Sequence, residues 1–114
     1  MPSYAPKVRV EVYFPIRDDQ VYKHYLDWVI NELTRVHGGC TVLENMSGYY
    51  NSQTHEVLAD RVNVVYSDFR LDWSKPTERA EVLHYCTILR QFLLENLWEE
   101  EILITAYPVS HVNQ

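Results

Sequence analysis

Residues 38–68, GGCTVLENMSGYYNSQTHEVLADRVNVVYSD, constrain this chain more than any other stretch. They read as two strands folded back on each other, over residues 40–50 and 57–69, joined by Asn51, Ser52, Gln53 and Thr54. Whatever flanks such a hairpin must pair with it or pack on it. In its second strand Val62, Val64 and Tyr66 alternate with Arg61, Asn63, Val65 and Ser67, which predicts that the even-numbered side faces the core. The first strand is ambiguous, because Glu44 and Asn45 interrupt both alternatives, and Gly48 is expected to mark a bulge or bend.

Upstream, residues 7–14 place Val8, Val10, Val12 and Phe14 on one side and Lys7, Arg9, Glu11 and Tyr13 on the other, the period of a strand with one buried face. Pro15 ends it by removing a ladder donor. Asp18 or Asp19 can then cap a helix over residues 20–36, since a short side-chain oxygen accepts from the free amides of a first turn. Tyr22, Tyr25, Leu26, Val29, Ile30, Leu33 and Val36 give that helix an apolar stripe, and Gly38 suits the left-handed residue that closes a helix. Downstream, residues 71–75 read as a linker. Ser74 followed by Pro76 reads as a helix start, and the helix runs to about residue 98 along Val82, Leu83, Cys86, Leu89, Phe92, Leu93 and Leu97. A last apolar strand, residues 102–109, offers Ile102, Ile104 and Ala106 to the core. Residues 1–6 and 110–114 are expected to be a loose arm and a frayed tail.

The order strand, helix, strand, strand, helix, strand predicts one α+β domain over residues 1–114 with ferredoxin-like βαββαβ topology. Four antiparallel strands would carry both helices on one face, with strands one and three central. A length of 114 residues and an apolar content of 46% suffice for one continuous core. The net charge of −6 opposes attraction to phosphate backbones and anionic lipid, so neither nucleic acid nor membrane is an expected partner. No segment approaches the roughly 18 apolar residues of a membrane span, and the start lacks a signal-peptide pattern, which makes the cytoplasm the expected location. Cys40 and Cys86 are too few for a disulfide framework and are expected as free thiols.

A sheet covered on one side leaves the other to explain. The odd-numbered positions there are Arg9, Glu11 and Tyr13, then Arg61, Asn63 and Val65, then Leu103, Thr105 and Tyr107. Of these, Arg9, Glu11, Tyr13, Arg61, Asn63 and Tyr107 are the candidate ligand-binding residues. A guanidinium fork from Arg9 or Arg61 can hold a carboxylate or phosphate while Tyr13 or Tyr107 stacks on it. The competing reading is a solvated face of cross-strand ion pairs, or one closed by a second subunit. The loop over residues 51–56 is either a mobile recognition element or a polar hairpin tip. No metal, cofactor or catalytic set is predicted. There is no CxxC, HxxxH, HExxH or GxSxG; His84 and Cys86 fall on different helix faces, and Gly38 and Gly39 follow a helix instead of preceding one.

Over nearly the whole chain the layout resembles small ferredoxin-like proteins such as the PII-like signalling proteins and the dimeric α+β barrel proteins. The matching features are the helix exit at His37, Gly38 and Gly39, the long middle hairpin around residues 51–56 and the closing strand after Glu101. Glu11, Tyr13, Phe14, Trp28, Thr41, Val42, Gly48 and Tyr49 are similar in spacing to an uncharacterised family of single-domain proteins. The resemblance implies a fold and no activity. Asp68 and Asp72 stand where the PII type carries a basic nucleotide-binding segment, and no barrel catalytic set is recognisable. The reading that follows is a non-catalytic ligand-binding or regulatory homo-oligomer, a homodimer or larger, with a small anionic ligand as its possible partner. The alternative is a small enzyme whose dimer encloses a cavity, with Tyr13 or Tyr107 as proton donor and Glu11 as base.

Overall fold

The computed structural model describes residues 3–51 and 54–113. The elements follow in the order β1 (Ser3–Pro15), α1 (Gln20–His37), β2 (Thr41–Asn51), β3 (Val57–Phe69), α2 (Pro76–Asn96) and β4 (Ile104–Asn113). The strands form one antiparallel sheet in the order β2-β3-β1-β4, the ferredoxin-like arrangement expected from the element order. Ser52 and Gln53 at the hairpin tip, the first two residues and Gln114 lie outside the described residues.

The alternation of β1 is realised without exception: Val8, Val10, Val12 and Phe14 are buried in a core shared with Tyr22, Val29 and Leu33 of α1 and Val82, Leu89 and Leu93 of α2. Both helices therefore cover the same face of the sheet. Asp19 caps α1, its carboxylate accepting from the Val21 amide at 2.8 Å, and Gly38 closes it in the left-handed region at φ 87°. Pro76 opens α2 at a position that needs no amide donor, with Lys75 as the preceding cap. Ser74 instead closes a turn onto Asp72, donating its amide and hydroxyl to one carboxylate oxygen at 3.0 and 2.7 Å. Leu83, assigned to the buried stripe of α2 by its spacing, is 47% exposed.

The face of β3 is the reverse of the one its alternation suggested. Val65, Ser67 and Phe69 pair directly with Val12, Val10 and Val8, and directly opposed residues share a face. The odd side of β3 thus joins the core, while Val62, Val64 and Tyr66 lie on the uncovered face. Residues 62–66 are apolar or aromatic on both sides apart from Asn63, so local alternation could not choose. The choice is made further along, where Phe69 is 1% exposed and the buried Ser67 hydroxyl donates to the Gly39 carbonyl at 2.6 Å.

Three other expectations are corrected. The irregularity in β2 lies between Leu43 and Met46, not at Gly48, which pairs regularly with Asp60. Glu44 and Asn45, the residues that spoiled both alternation patterns, are the bulge itself, and Asn45 takes φ 61° there. The expected arm and tail are strands from Ser3 and to Asn113, paired from Ser3 with Asn113 to Val12 with Ile104. Each segment is polar enough to read as loose alone, and each supplies the other's backbone partners. Finally, β4 begins at Ile104, not 102, although the Tyr13 amide still donates to the Leu103 carbonyl at 2.9 Å.

Candidate functional site

The uncovered face carries two connected polar networks on β1, β3 and β4. In the first, the Glu11 carboxylate accepts from three hydroxyls: Thr105 at 2.9 Å, Tyr107 at 2.9 Å and Tyr13 at 3.3 Å. The register dictates this, since Glu11 pairs with Thr105, and Tyr107 and Tyr13 flank that pair on the same face. Burial first, and then the neighbouring Glu11 carboxylate, push the hydroxyls of Tyr13 and Tyr107 above the ordinary phenol range, so both protons stay on oxygen.

In the second network Arg9 forks onto Asp68, Nε to Oδ1 at 2.8 Å and the terminal nitrogen to Oδ2 at 3.0 Å, while its guanidinium carbon lies 4.3 Å from the centroid of the Tyr66 ring. His111, from the end of β4, lies 2.6 Å from the same Asp68 oxygen. The Arg9 hydrogen bonds, with help from His111, hold the Asp68 carboxyl below the usual carboxylate range against a burial effect of opposite sign. Asp68 is thus a fixed anion between two basic side chains.

Beside this network, where the turn from α1 into β2 meets the sheet, lies a cleft of about 370 Å³. Gly38, Gly39 and Cys40 form one wall, Tyr66, Asp68 and His111 another, and Lys7 and Arg70 reach it from β1 and the end of β3. Among the described residues neither Lys7 nor Arg70 is paired with a carboxylate. A side chain at Gly38 or Gly39 would meet no atom within 4 Å, so the glycine wall leaves the approach to the backbone open.

Of the six residues singled out by sequence, Arg9, Glu11, Tyr13 and Tyr107 come together on this face. Arg61 and Asn63 do not, because the reversed face of β3 carries them to the other side. There they brace the bulge: Arg61 donates to the Asn45 side-chain oxygen at 2.6 Å and to its carbonyl at 3.2 Å, and the Asn63 side-chain oxygen accepts from the Asn45 amide at 3.0 Å. The residues that replace them, Tyr66 and Asp68, were hidden by the same inversion. His111 was missed because β4 was expected to stop before it, and Lys7 and Arg70 because an isolated cation near a strand end carries no signal of its own.

The two thiols are free and half-buried, and burial pushes Cys86 up to about 11. Among the described residues no group of three or more His, Cys, Asp or Glu side chains is arranged to hold a metal ion, and no helix is long and apolar enough to cross a membrane.

The fold and this open sheet face define a ferredoxin-like α+β domain. No family model matches the chain, and no curated protein matches its sequence. Among solved structures that share its fold, the crystal structure of CutA1 from Oryza sativa is 15% identical, with TM-score 0.58, over 96% of this chain and 84% of that one. The divalent cation tolerance protein (Cut A1) from Thermus thermophilus is 15% identical, with TM-score 0.57, over 95% of this chain and 87% of that one. At such identity the likeness concerns the fold.

Proposed function

We propose that this protein is a non-catalytic binding module of the cytoplasm, working as a homo-oligomer and holding a small anion in the cleft beside Asp68. The observation that carries the reading is the pair of uncompensated cations, Lys7 and Arg70, at the mouth of one cleft in a chain of net charge −6. An acidic protein with two cations lining one cleft, neither paired with a carboxylate among the described residues, has a local field there suited to a carboxylate or phosphate. Arg9 serves such a ligand indirectly. Its fork is occupied by Asp68, so it positions that carboxylate and His111 instead of gripping the ligand itself.

Assembly is supported by what the sheet leaves uncovered. β2 and β4 are its edges, and the far half of the β2–β3 hairpin exposes Tyr49, Tyr50, Val57 and Leu58. Open edges and clustered exposed apolar groups of this kind are covered in stable proteins, here most simply by further copies. The enzyme reading has less support: a base needs a free lone pair aimed at substrate, and Glu11 already accepts three hydroxyls. The divalent cation named for the Thermus protein also finds no matching donor set among the described residues.

The test is a thermal-shift titration with inorganic phosphate and with citrate, read on wild type, Lys7→Ala/Arg70→Ala and Arg61→Ala, with light scattering on the same samples. A ligand at about 100 times its Kd stabilises by roughly 2.7 kcal/mol, a shift on the order of ten degrees for a domain of this size. Wild type and Arg61→Ala should respond alike and the double variant should not. Equal shifts in all three proteins would remove the site, and a monomer by light scattering would remove the assembly.

A further inference from the structure

On the helical layer, α1 and α2 leave a groove of about 400 Å³ between them. Its floor is aromatic. The Trp28 and Phe92 rings lie 4.5 Å apart in a tilted arrangement, and Tyr85 and the 57% exposed Ile88 continue the surface. Apart from Tyr85, its titratable lining is Glu32, Glu81 and His84, and among the described residues no Lys or Arg lines it. Glu32 accepts from the Tyr85 hydroxyl at 3.3 Å, and among the described residues neither carboxylate is in an ion pair.

We propose that this groove binds an organic cation with an apolar body, of the arylalkyl- or alkylammonium class. Charge complementarity selects the sign. Two carboxylates lining the same groove as three aromatic rings favour a cation by direct attraction and through the ring quadrupoles, and they repel an anion. The apolar floor selects the body, because a bare polyamine would gain the charge term but leave the rings in water. The volume falls in the range of small-molecule pockets. The groove adjoins the anion cleft through the contact of His37 with Tyr85, but different residues line it and its test uses a ligand of opposite charge.

The test uses phenethylammonium, its neutral counterpart phenethyl alcohol, and spermidine, each titrated into full-length protein at pH 8 and followed by amide and indole NMR shifts. Phenethylammonium should give saturable shifts at the Trp28 indole and along residues 85–92, with affinity at least about fivefold above the alcohol, the scale of one cation–π contact. Spermidine should leave the Trp28 indole unmoved. Glu32→Gln/Glu81→Gln should weaken the amine severalfold and leave only the share of its advantage over the alcohol that the rings supply, with an unchanged melting temperature, since a glutamine oxygen can still accept from Tyr85. Should that variant not fold, Ile88→Lys, at an exposed position, tethers an ammonium in the groove and should abolish binding. Equal affinity for amine and alcohol, shifts centred elsewhere, or full binding by either variant would overturn the proposal.

Discussion

The Arg9–Asp68 pair is the contact on which the candidate site most depends, and its strength can be worked from its surroundings. The side chains are 29% and 13% exposed, so the pair belongs neither with solvent-exposed bridges, worth up to about 1 kcal/mol, nor with fully buried ones, whose disruption costs about 3–5. Two aligned hydrogen bonds and the Tyr66 ring beneath the guanidinium place the coupling between these limits, at about 1–2 kcal/mol. Asp68→Ala should cost more than Arg9→Ala, because it strands Arg9 and also removes the partner of His111, whereas Asp68 without Arg9 keeps His111. Urea unfolding of wild type, both single variants and the double variant at pH 7 gives the coupling directly. The folded carboxyl titrates below its unfolded value of about 3.9, so the contribution is complete above that pH and is lost as pH falls through the lowered folded value. The coupling should therefore be the same at pH 5 as at pH 7 and shrink below about pH 3.5. A coupling under about 0.3 kcal/mol at pH 7, within ordinary additivity, would refute the argument that the pair is a structural unit.

Three further outcomes are expected. The His37 ring stacks 3.4 Å from Phe69, with Tyr85 edge-on and its Nε2 buried with no partner among the described residues, and burial lowers its pKa although Glu32 pulls the other way. Below its unfolded value of about 6.5 the unfolded chain takes the proton first. Wild type should then lose more melting temperature between pH 7 and pH 5 than His37→Phe, and equal losses would show that His37 is no acid-labile point. Gly38→Ala meets no neighbouring atom, so its cost is the left-handed backbone alone, about 1 kcal/mol by urea unfolding, with Gly38→Asn costing less. Arg61→Ala should cost about 1 kcal/mol through the loss of its hydrogen bonds to Asn45; no loss would mean the bulge holds itself.

Legibility followed the reach of each signal along the chain. The alternation of β1, the periodicity of α1 and the caps at Asp19 and Gly38 are local, and a few adjacent residues decide them; they appear where the sequence placed them, except that Val36, at the end of the α1 stripe, is 55% exposed. The face of β3 is a pairing property. Val62, Val64 and Val65 satisfy either choice, and only the ladder to β1, together with Ser67 under Gly39, selects one. The terminal strands show the same dependence, since neither Ser3 to Pro6 nor Ser110 to Asn113 carries a strand pattern until each is set beside the other.

The site inherits these pairings. Glu11 and Tyr107 were readable because β1 and β4 each had a clear inward side, and their meeting needs only those two inferences to hold. Asp68 and Tyr66 needed a third, the face of β3, and a one-residue change of phase exchanged them for Arg61 and Asn63. A candidate site assembled from three strands is therefore as legible as the least patterned strand that contributes to it. In this chain that strand is the apolar central one, because burial on one side and aromatic packing on the other erase the very alternation that would reveal its face.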